Sequence, residues 1–383
     1  MKVAVISDDP TIWTGGINYL LNMCRVLRSA NLSIELLIFV RGDVGHNMNE
    51  RIVEATGHPA IPIKKRSALT DLINIAGLSS KQLQRQLDSY DIDVIFEASG
   101  YIGNQMRQPV ISWIPDFQHR HFRHLFSRIG WLARELRFRR ILSTRKFVIV
   151  SSNDAHNDLL RFYPKANSQL SVVPFSIHLE YQIGADDLHR VQLKYDIPSD
   201  YIYLPNQYWA HKNHQLVVDA LSHLEDSRPV VISTGNPVDP QQPERVEKLM
   251  GKIADLGLAN HFRILGNLPY QDILALNFGA TALINPSFFE GWSTTVEEAK
   301  ALGTPMLLSD LAVHKEQAGG LALYFDPHSP LDCAEKLQQM VCQPPVRFRE
   351  KATETNRINL QNYAQKLIAL FDAAHRSGKT ENA

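Results

Sequence analysis

Hydrophobic positions divide the chain into short apolar runs that alternate with segments of helical periodicity. The runs are rich in β-branched residues, as expected of strands buried on both faces of a parallel sheet. In the first half they predict strands at 3–7, 34–39, 94–98, 110–114, 147–151 and 170–175. A second series is predicted at 201–204, 230–233, 262–265, 280–285, 306–309 and 321–325.

The two series predict an α/β fold of two doubly wound, Rossmann-like domains that face each other across a cleft. A polar, irregular stretch at 180–187 separates them and is the best linker candidate. The predicted boundaries are 1–179 for the first domain and 180–352 for the second. The remaining residues, 353–383, are predicted to be helical to about 374.

The segment richest in chemistry is residues 285–305, NPSFFEGWSTTVEEAKALGTP. Glu290 and Glu298 flank a turn that leads from a strand into a helix predicted over 295–302, which Gly303 ends. The hydroxyl side chains that can cap this helix are those of Ser293, Thr294 and Thr295. An anion before the turn faces unpaired N–H groups and the positive end of the helix dipole, so a diphosphate fits there.

The two glutamates are expected to serve neutral parts of the same ligand, because carboxylates accept hydrogen bonds from hydroxyls. A nucleotide sugar carries hydroxyls on both sides of its diphosphate. Glu290, on the strand side, is expected to reach the hexose, and Glu298, about one turn into the helix, the ribose. The alternative is a capped helix with two solvated glutamates.

This segment closely resembles the Glu-x7-Glu signature of family 4 of the retaining glycosyltransferases, which have the GT-B fold. The resemblance covers nearly the whole chain at the level of fold and is strongest from Tyr203 to Phe325. It implies that the second domain binds a nucleoside diphosphate sugar, without a further cofactor, and that the first binds the acceptor. It also implies that the C-terminal helix crosses back to the first domain.

The resemblance extends to two loops that hold the donor diphosphate. The glycine pair Gly15 and Gly16, after the first strand, matches one that approaches the diphosphate and the acceptor. Lys212 matches the family's diphosphate-binding lysine, whereas Gln207 stands where an arginine is common. That departure removes a charge-assisted contact of about 1.5–3 kcal/mol, and Arg263 is one candidate to replace it.

The segment Trp113-Ile-Pro-Asp-Phe-Gln-His119 follows a predicted strand of the first domain. In enzymes of this family a histidine loop at this place faces the donor sugar. The resemblance therefore implies that His119 contacts the hexose or the acceptor hydroxyl and takes part in catalysis with Glu290 and Lys212. A histidine with a purely structural role is the alternative.

Two patterns raise the question of a metal. Asp91 and Asp93 match an Asp-x-Asp motif, but they precede a predicted strand, which favours a strand-entry turn. His211 and His214 have ligand spacing without a third ligand nearby. We therefore expect metal-independent transfer, with Lys212 and the helix N-terminus in place of a cation.

The segment from His119 to Lys146 is strongly basic, with Glu135 as its one acidic residue. Its apolar residues fall on one face of a predicted helix: Phe122, Leu125, Phe126, Ile129, Leu132, Ala133 and Leu136. Two interpretations remain open. The helix lies on an anionic membrane and presents the enzyme to a lipid-linked acceptor, or it packs on its own domain with a solvated basic face.

Composition narrows the class of protein without identifying a substrate. The chain has 383 residues, 44% hydrophobic and 21% charged, with a formal net charge of zero, which gives no support to nucleic-acid binding. Its three cysteines, Cys24, Cys333 and Cys342, suit a reducing compartment. Without an evident membrane span or signal peptide, the expected location is the cytoplasm or the inner face of the cell membrane.

The expected function is a retaining transfer of a hexose to a glycan or glycolipid hydroxyl in bacterial surface polysaccharide synthesis, such as that of lipopolysaccharide. Mannose from a guanosine donor is the choice suggested by family frequency alone. A nucleotide-sugar epimerase is one rival, and it would turn over without an acceptor. A non-catalytic homologue that binds sugar nucleotides is the other, and it would retain Glu298 but not transfer.

Overall fold

The computed structural model describes residues 1–381 except 10–13, 31–32, 43, 66, 99, 167, 225–227, 240–241, 344–346 and 348. The chain forms two compact units. The first comprises Met1–His178 and the C-terminal residues from Asn359 onward, and the second is Leu179–Ile358.

In the first unit, parallel strands form one sheet in the order β3-β2-β1-β4-β5-β6-β7. The strands are β1 (Lys2–Ser7), β2 (Glu35–Arg41), β3 (Ile61–Ile63), β4 (Val94–Ala98), β5 (Val110–Trp113), β6 (Phe147–Val150) and β7 (Gln169–Val172). The helices are α1 (Thr14–Ala30), α2 (His46–Thr56), α3 (Ala68–Ile75), α4 (Lys81–Ser89), α5 (Gln118–His121), α6 (Arg128–Thr144) and α7 (Asn153–Phe162).

The second unit contains a parallel sheet in the order β10-β9-β8-β11-β12-β13. Its strands are β8 (Ile202–Leu204), β9 (Val231–Thr234), β10 (Phe262–Gly266), β11 (Ala282–Asn285), β12 (Met306–Ser309) and β13 (Ala322–Phe325). Its helices are α8 (Ala185–Tyr195), α9 (His214–Ser222), α10 (Arg245–Asp255), α11 (Tyr270–Gly279), α12 (Thr294–Leu302), α13 (Ala312–Ala318) and α14 (Pro330–Cys342). The last helix, α15 (Arg349–Glu381), begins in this unit and ends in the first.

Helices cover both faces of the second sheet, because its strands alternate their buried side chains between two cores. Ile202 and Leu204 of β8 pack with α9, α10 and α14, whereas Tyr203 packs on the opposite face with α8 and α11. This doubly wound arrangement brings the loops after β8, β11 and β12 to the same edge of the sheet. That edge carries most of the predicted donor-site residues.

The predicted strands agree with the structure to within a few residues, and the main omission is β3. This strand contains three residues, Ile61-Pro-Ile63, and lies at the edge of the first sheet beside β2. A strand so short shows no periodicity, and an internal proline argues against a strand in the sheet interior. Part of the stretch interpreted as a linker is helical, since α8 begins at Ala185.

The apolar pattern predicted one continuous helix in the basic segment, and this prediction was wrong. It consists of α5, a 3-10 turn at Arg123–Leu125, and α6, whose first residue follows the N-cap Ser127. On α6, Phe138, Ile141 and Leu142 are buried, while Ile129, Leu132 and Leu136 are exposed by 84%, 51% and 40%. The apolar face that faces solvent is therefore narrower than the predicted one. None of the helices in the described part of the chain is long and apolar enough to cross a membrane.

Candidate active site

Two loops of the second unit place a lysine and a glutamate in contact. Lys212 ends a 3-10 turn after β8, and Glu290 lies between β11 and α12. The Lys212 Nζ donates a hydrogen bond of 2.7 Å to the Glu290 Oε1. The backbones of the loops are joined as well, because the Phe288 N–H donates to the His211 carbonyl at 2.8 Å. The structure thus brings together two of the three predicted catalytic residues.

Glu290 is held by one carboxylate oxygen. Oε1 accepts hydrogen bonds from Lys212, from the Ser287 Oγ at 2.7 Å and from the Asn285 Nδ2 at 3.3 Å. No residue in the described part of the chain hydrogen-bonds the other oxygen, Oε2. Burial opposes ionisation, but the Lys212 charge outweighs it and lowers the pKa of Glu290 to about 2. Glu290 is therefore an oriented carboxylate with one oxygen ready to accept a hydroxyl.

Asn285, the last residue of β11, organises this loop. Its Nδ2 also donates to the Ser293 Oγ at 3.1 Å, and its Oδ1 accepts from the Asn206 Nδ2 at 3.2 Å and lies 2.6 Å from the Ser287 Oγ, whose one proton it shares with Glu290. Asn206 belongs to the loop after β8, so one buried amide connects both loops. A fully bonded amide in a buried network fixes side-chain orientation.

The N-terminus of α12 differs from the predicted cap. Ser293 is the N-cap residue, but its hydroxyl makes no capping hydrogen bond and instead pairs with Asn285 and with the Thr295 hydroxyl. Gln317 of α13 holds the Ser293 backbone, accepting from its N–H at 3.1 Å and donating to its carbonyl at 2.7 Å. The backbone N–H groups of Thr294 and Thr295 donate to no other described residue. They remain available to an anion.

Glu298 is buried on α12, and in the described part of the chain its side chain has one hydrogen bond, from the Tyr270 hydroxyl to its Oε1 at 2.9 Å. Burial raises its pKa to about 7, and the Glu180 charge acts in the same direction. A buried carboxylate with one donor has capacity for further hydroxyl donors. Tyr270 was not a predicted site residue, and its position at the start of α11 gave no sequence signal.

The arginine missing at Gln207 is not replaced by Arg263. The Arg263 guanidinium donates to the carbonyls of Tyr195 and Asp196 and so fixes the end of α8.

Gln207 itself lies where the loop after β8 meets the loop after β9. A Cβ on Gly235 would lie 2.5 Å from the Asn206 carbonyl oxygen and 3.0 Å from the Gln207 nitrogen, and this glycine has φ +133°. Only glycine allows this close approach.

The expectation that His119 contacts the hexose does not agree with its position in the first unit. Its side chain is fully buried, and its Nε2 lies 3.3 Å from the Glu135 Oε2, which also accepts from the Tyr163 hydroxyl at 2.8 Å. Burial and the charge of Arg134 lower the pKa of His119 to about 4, against the opposing effect of Glu135. The imidazole is therefore a neutral, buried group, as the alternative of a structural histidine predicts.

The remaining predicted residues have simpler positions. Gly15 and Gly16 lie in the first turn of α1, the former exposed and the latter buried, while residues 10–13 before them lie outside the described part.

Asp93 accepts a hydrogen bond from the Lys2 backbone N–H at 2.8 Å, as a strand-entry residue does. The His214 Nε2 donates to the Asn206 carbonyl at 3.2 Å, which leaves that nitrogen without a metal-binding lone pair. No cluster of metal-binding side chains occurs among the described residues.

Comparison with known proteins shows what this arrangement is similar to. Residues 187–358 match the family model described as glycosyl transferases group 1. A Corynebacterium glutamicum relative, a D-inositol 3-phosphate glycosyltransferase, is 25% identical over 415 residues, 98% of this chain and 97% of its own. The Salmonella typhimurium O-antigen chain mannosyltransferase RfbU is 24% identical over 182 residues, 48% of this chain and 47% of its own.

Solved structures share this fold over nearly the whole chain. Anabaena HepE, in complex with UDP and glucose, has a TM-score of 0.75 at 15% identity and covers 97% of this chain and 100% of that one. A glycosyltransferase from Rickettsia africae has a TM-score of 0.75 at 17% identity, with 97% and 98% coverage. The predicted GT-B architecture with two Rossmann-like domains is thereby confirmed.

Proposed function

We propose that this glycosyltransferase transfers a hexose, with retention of configuration, from a nucleoside diphosphate sugar to a hydroxyl of a glycan or lipid-linked acceptor. The observation that supports this best is the geometry of Glu290. Among the described residues, its Oε1 has three hydrogen-bond partners and its Oε2 has none, and the loop that carries it leads into the start of α12, where two amides have no described partner. A carboxylate and an anion site on one loop and the helix that follows it match a hexose joined to a diphosphate.

In the proposed complex, each part of the nucleotide sugar is bound by its own set of protein groups. The diphosphate lies against the amides of Thr294 and Thr295 and against the Lys212 ammonium. When the donor binds, Lys212 moves away from Glu290, its partner in the structure. The Glu290 Oε2 accepts a hexose hydroxyl, and Glu298 accepts a ribose hydroxyl through the oxygen that Tyr270 does not bind. Lys212 and the helix N-terminus supply positive charge, so we propose that transfer needs no metal.

The proposed reaction is substitution on the front face of the sugar. The bond between the anomeric carbon and the β-phosphate oxygen breaks, and its electron pair leaves with the nucleoside diphosphate. The acceptor oxygen bonds to the anomeric carbon on the same face, and its proton passes to the departing phosphate oxygen. Lys212 stabilises the charge that develops on that oxygen. The chain supplies orientation and electrostatics, and Glu290 forms no covalent bond.

We further propose that α6 brings the enzyme to an anionic membrane with a lipid-linked acceptor. Ile129, Leu132 and Leu136 form an exposed apolar ridge, and Arg140 continues the same helical face. Three arginines of α6 are paired with carboxylates of their own domain: Arg134 is 3.9 Å from Asp116, Arg137 is 3.8 Å from Asp71, and Arg139 is 2.8 Å from Glu135. The ridge, flanked by the exposed Arg128 and Arg140, is therefore the part proposed to dock.

A panel of uridine, guanosine and thymidine diphosphate hexoses tests the donor assignment, with thermal shift for binding and sugar transfer to a lipid-linked acceptor for activity. A saturating donor stabilises the folded chain by about 2.7 kcal/mol at a hundred times its Kd. Glu290→Gln is expected to reduce turnover far more than donor affinity, whereas Glu298→Gln chiefly weakens donor binding. Turnover of the donor without any acceptor would favour an epimerase, and donor binding without transfer to any acceptor would favour a non-catalytic homologue.

Mannose from a guanosine donor, for a bacterial surface polysaccharide, is the specific form of this proposal. The resemblance to an O-antigen chain mannosyltransferase over about half the chain supports it. The same panel tests it, because a stronger thermal shift with a uridine donor than with GDP-mannose would contradict this choice.

A further inference from the structure

His314 is a buried histidine that neither the sequence patterns nor the proposed mechanism uses. It lies on the first turn of α13 and is fully inaccessible to solvent. Its Nδ1 is 2.9 Å from the carbonyl oxygen of Ser309, the last residue of β12. A carbonyl oxygen can only accept, so Nδ1 must carry the proton. Burial lowers the pKa of His314, and the ring is therefore neutral with a bare lone pair on Nε2.

The Nε2 atom of His314 is buried without a hydrogen-bond partner in the described part of the chain. Buried polar atoms are nearly always paired, so an unpaired one calls for a physical explanation. A lone pair in this position is suited to take up a proton or a hydrogen bond in another state of the protein.

The surroundings of His314 connect it to the reacting pair. The Ser309 Oγ donates to the Asn285 carbonyl at 3.0 Å, and the Asn285 side chain in turn donates to Glu290. The charged groups whose fields reach the imidazole are Glu290, on the loop before α12, and Lys212, on the turn after β8. Glu290 favours protonation of the ring and Lys212 opposes it.

Donor binding changes this balance of charge. In the structure, Lys212 neutralises Glu290. In the proposed complex, Lys212 turns to the diphosphate, and Glu290 is left buried without its counterion, which is strongly unfavourable. The same movement takes away the cation that opposes protonation of His314. Both consequences favour a positive charge on the ring.

We propose that His314 is a positioning residue that binds a proton at Nε2 when a nucleotide sugar draws Lys212 away, so that its imidazolium replaces Lys212 as the countercharge of Glu290. The proton comes from the solvent, one N–H bond forms, and the local charge stays balanced. This inference rests on the proposed function, because it requires a diphosphate at Lys212. It predicts that donor binding is accompanied by proton uptake.

Proton uptake is measured by titration calorimetry of the full chain in buffers of different ionisation enthalpy, at pH 6.5 and without acceptor. The ligand is the nucleotide sugar with the largest thermal shift in the panel. If binding returns the pKa of His314 to the ordinary value of about 6.5 or above, the ring is at least about half protonated in the complex. Wild type should then take up protons at this residue on binding, because burial lowers the pKa of His314 in the free protein.

The matched variants are His314→Asn and His314→Gln. The Asn amide takes the place of Nδ1 and keeps the donor to Ser309, but neither variant titrates near neutral pH. Because ionisation of Glu298 on binding contributes equally to all proteins, the difference between wild type and variants isolates His314. His223→Asn, on an exposed histidine of the same unit, is the control and should keep wild-type uptake.

Two results would overturn the inference. Uptake that is equal in wild type and in a folded His314 variant that binds donor would assign the protons to other groups, and the proposed function would stand. Failure of every nucleotide sugar to bind wild type would remove the proposed function and the inference together. A loss of uptake in both His314 variants, with the control unchanged, would support the inference.

Discussion

The buried carboxylate of Glu298 should destabilise the second unit in the absence of ligand. Its pKa is about 7 in the folded chain against 4.5 as the ordinary value. Between these values the folded state still holds a proton that the unfolded state has released, so stability falls as pH rises from 4.5 to 7. Above pH 7 the carboxylate is ionised in both states and the full penalty applies. Replacement by glutamine removes the penalty, because an amide does not ionise.

The size of the effect follows from the difference of 2.5 between those two pKa values. At about 1.36 kcal/mol for each pKa unit, Glu298→Gln should stabilise the second unit by up to about 3 kcal/mol at pH 8. At pH 4.5 the gain should nearly vanish, because the wild-type carboxyl is protonated when folded. The amide oxygen can still accept from the Tyr270 hydroxyl, so the hydrogen bond seen in the structure need not be lost.

Hydrogen exchange of the buried amides in β11 and β12, on the full chain, reports opening of the second unit separately from the first. Each variant is compared with wild type at the same pH, so other titrating groups cancel. Glu247→Gln, on an exposed glutamate of α10, is the matched control and should leave exchange unchanged. Slower exchange in Glu298→Gln at pH 8 but not at pH 4.5 is the expected result. Equal or faster exchange at pH 8 would refute the reasoning.

Two further predictions concern the proposed chemistry and membrane contact. Lys212→Ala should lower the transfer rate by about two orders of magnitude, as loss of one oxyanion donor does, while wild type stays active in EDTA. Abolition by EDTA with rescue by manganese would contradict transfer without a metal. Serine at Ile129, Leu132 and Leu136 should reduce sedimentation with anionic liposomes and leave transfer to a short soluble acceptor intact. Serine at the exposed Leu193 of the second unit is the control, and equal sedimentation of both variants would disprove docking through the ridge.

The sequence predicted the fold well because parallel strands buried on both faces leave short apolar runs that local pattern reveals. It also located α12 to within one residue, since Gly303 adopts φ +67° and ends the helix as predicted. It failed for the cap, where the Ser293 hydroxyl bonds to Asn285 and not to the helix amides. Several polar partners compete for a hydroxyl in a buried loop, and their positions are not encoded locally.

His119 shows the same limit for a residue whose sequence context predicts contact with a ligand. Its sequence context resembles a ligand-facing histidine loop, yet α6 and Tyr163 bury the ring against Glu135. Exposure of a side chain depends on which elements pack over it, and these lie 16 and 44 residues away along the chain. Membership of a motif therefore predicts the position of the backbone better than the direction of the side chain.

By itself the sequence determined two doubly wound domains, the loops that carry Lys212 and Glu290, and the helix that carries Glu298. These features follow from local periodicity, from glycine and proline positions, and from the order of strands along the chain. Only the tertiary structure decided that Lys212 and Glu290 touch, and that, among the residues it describes, one Glu290 oxygen and one nitrogen of the buried His314 have no partner. Side chains far apart in sequence meet only where parallel strands end at the same edge of a sheet, and burial there sets their charge.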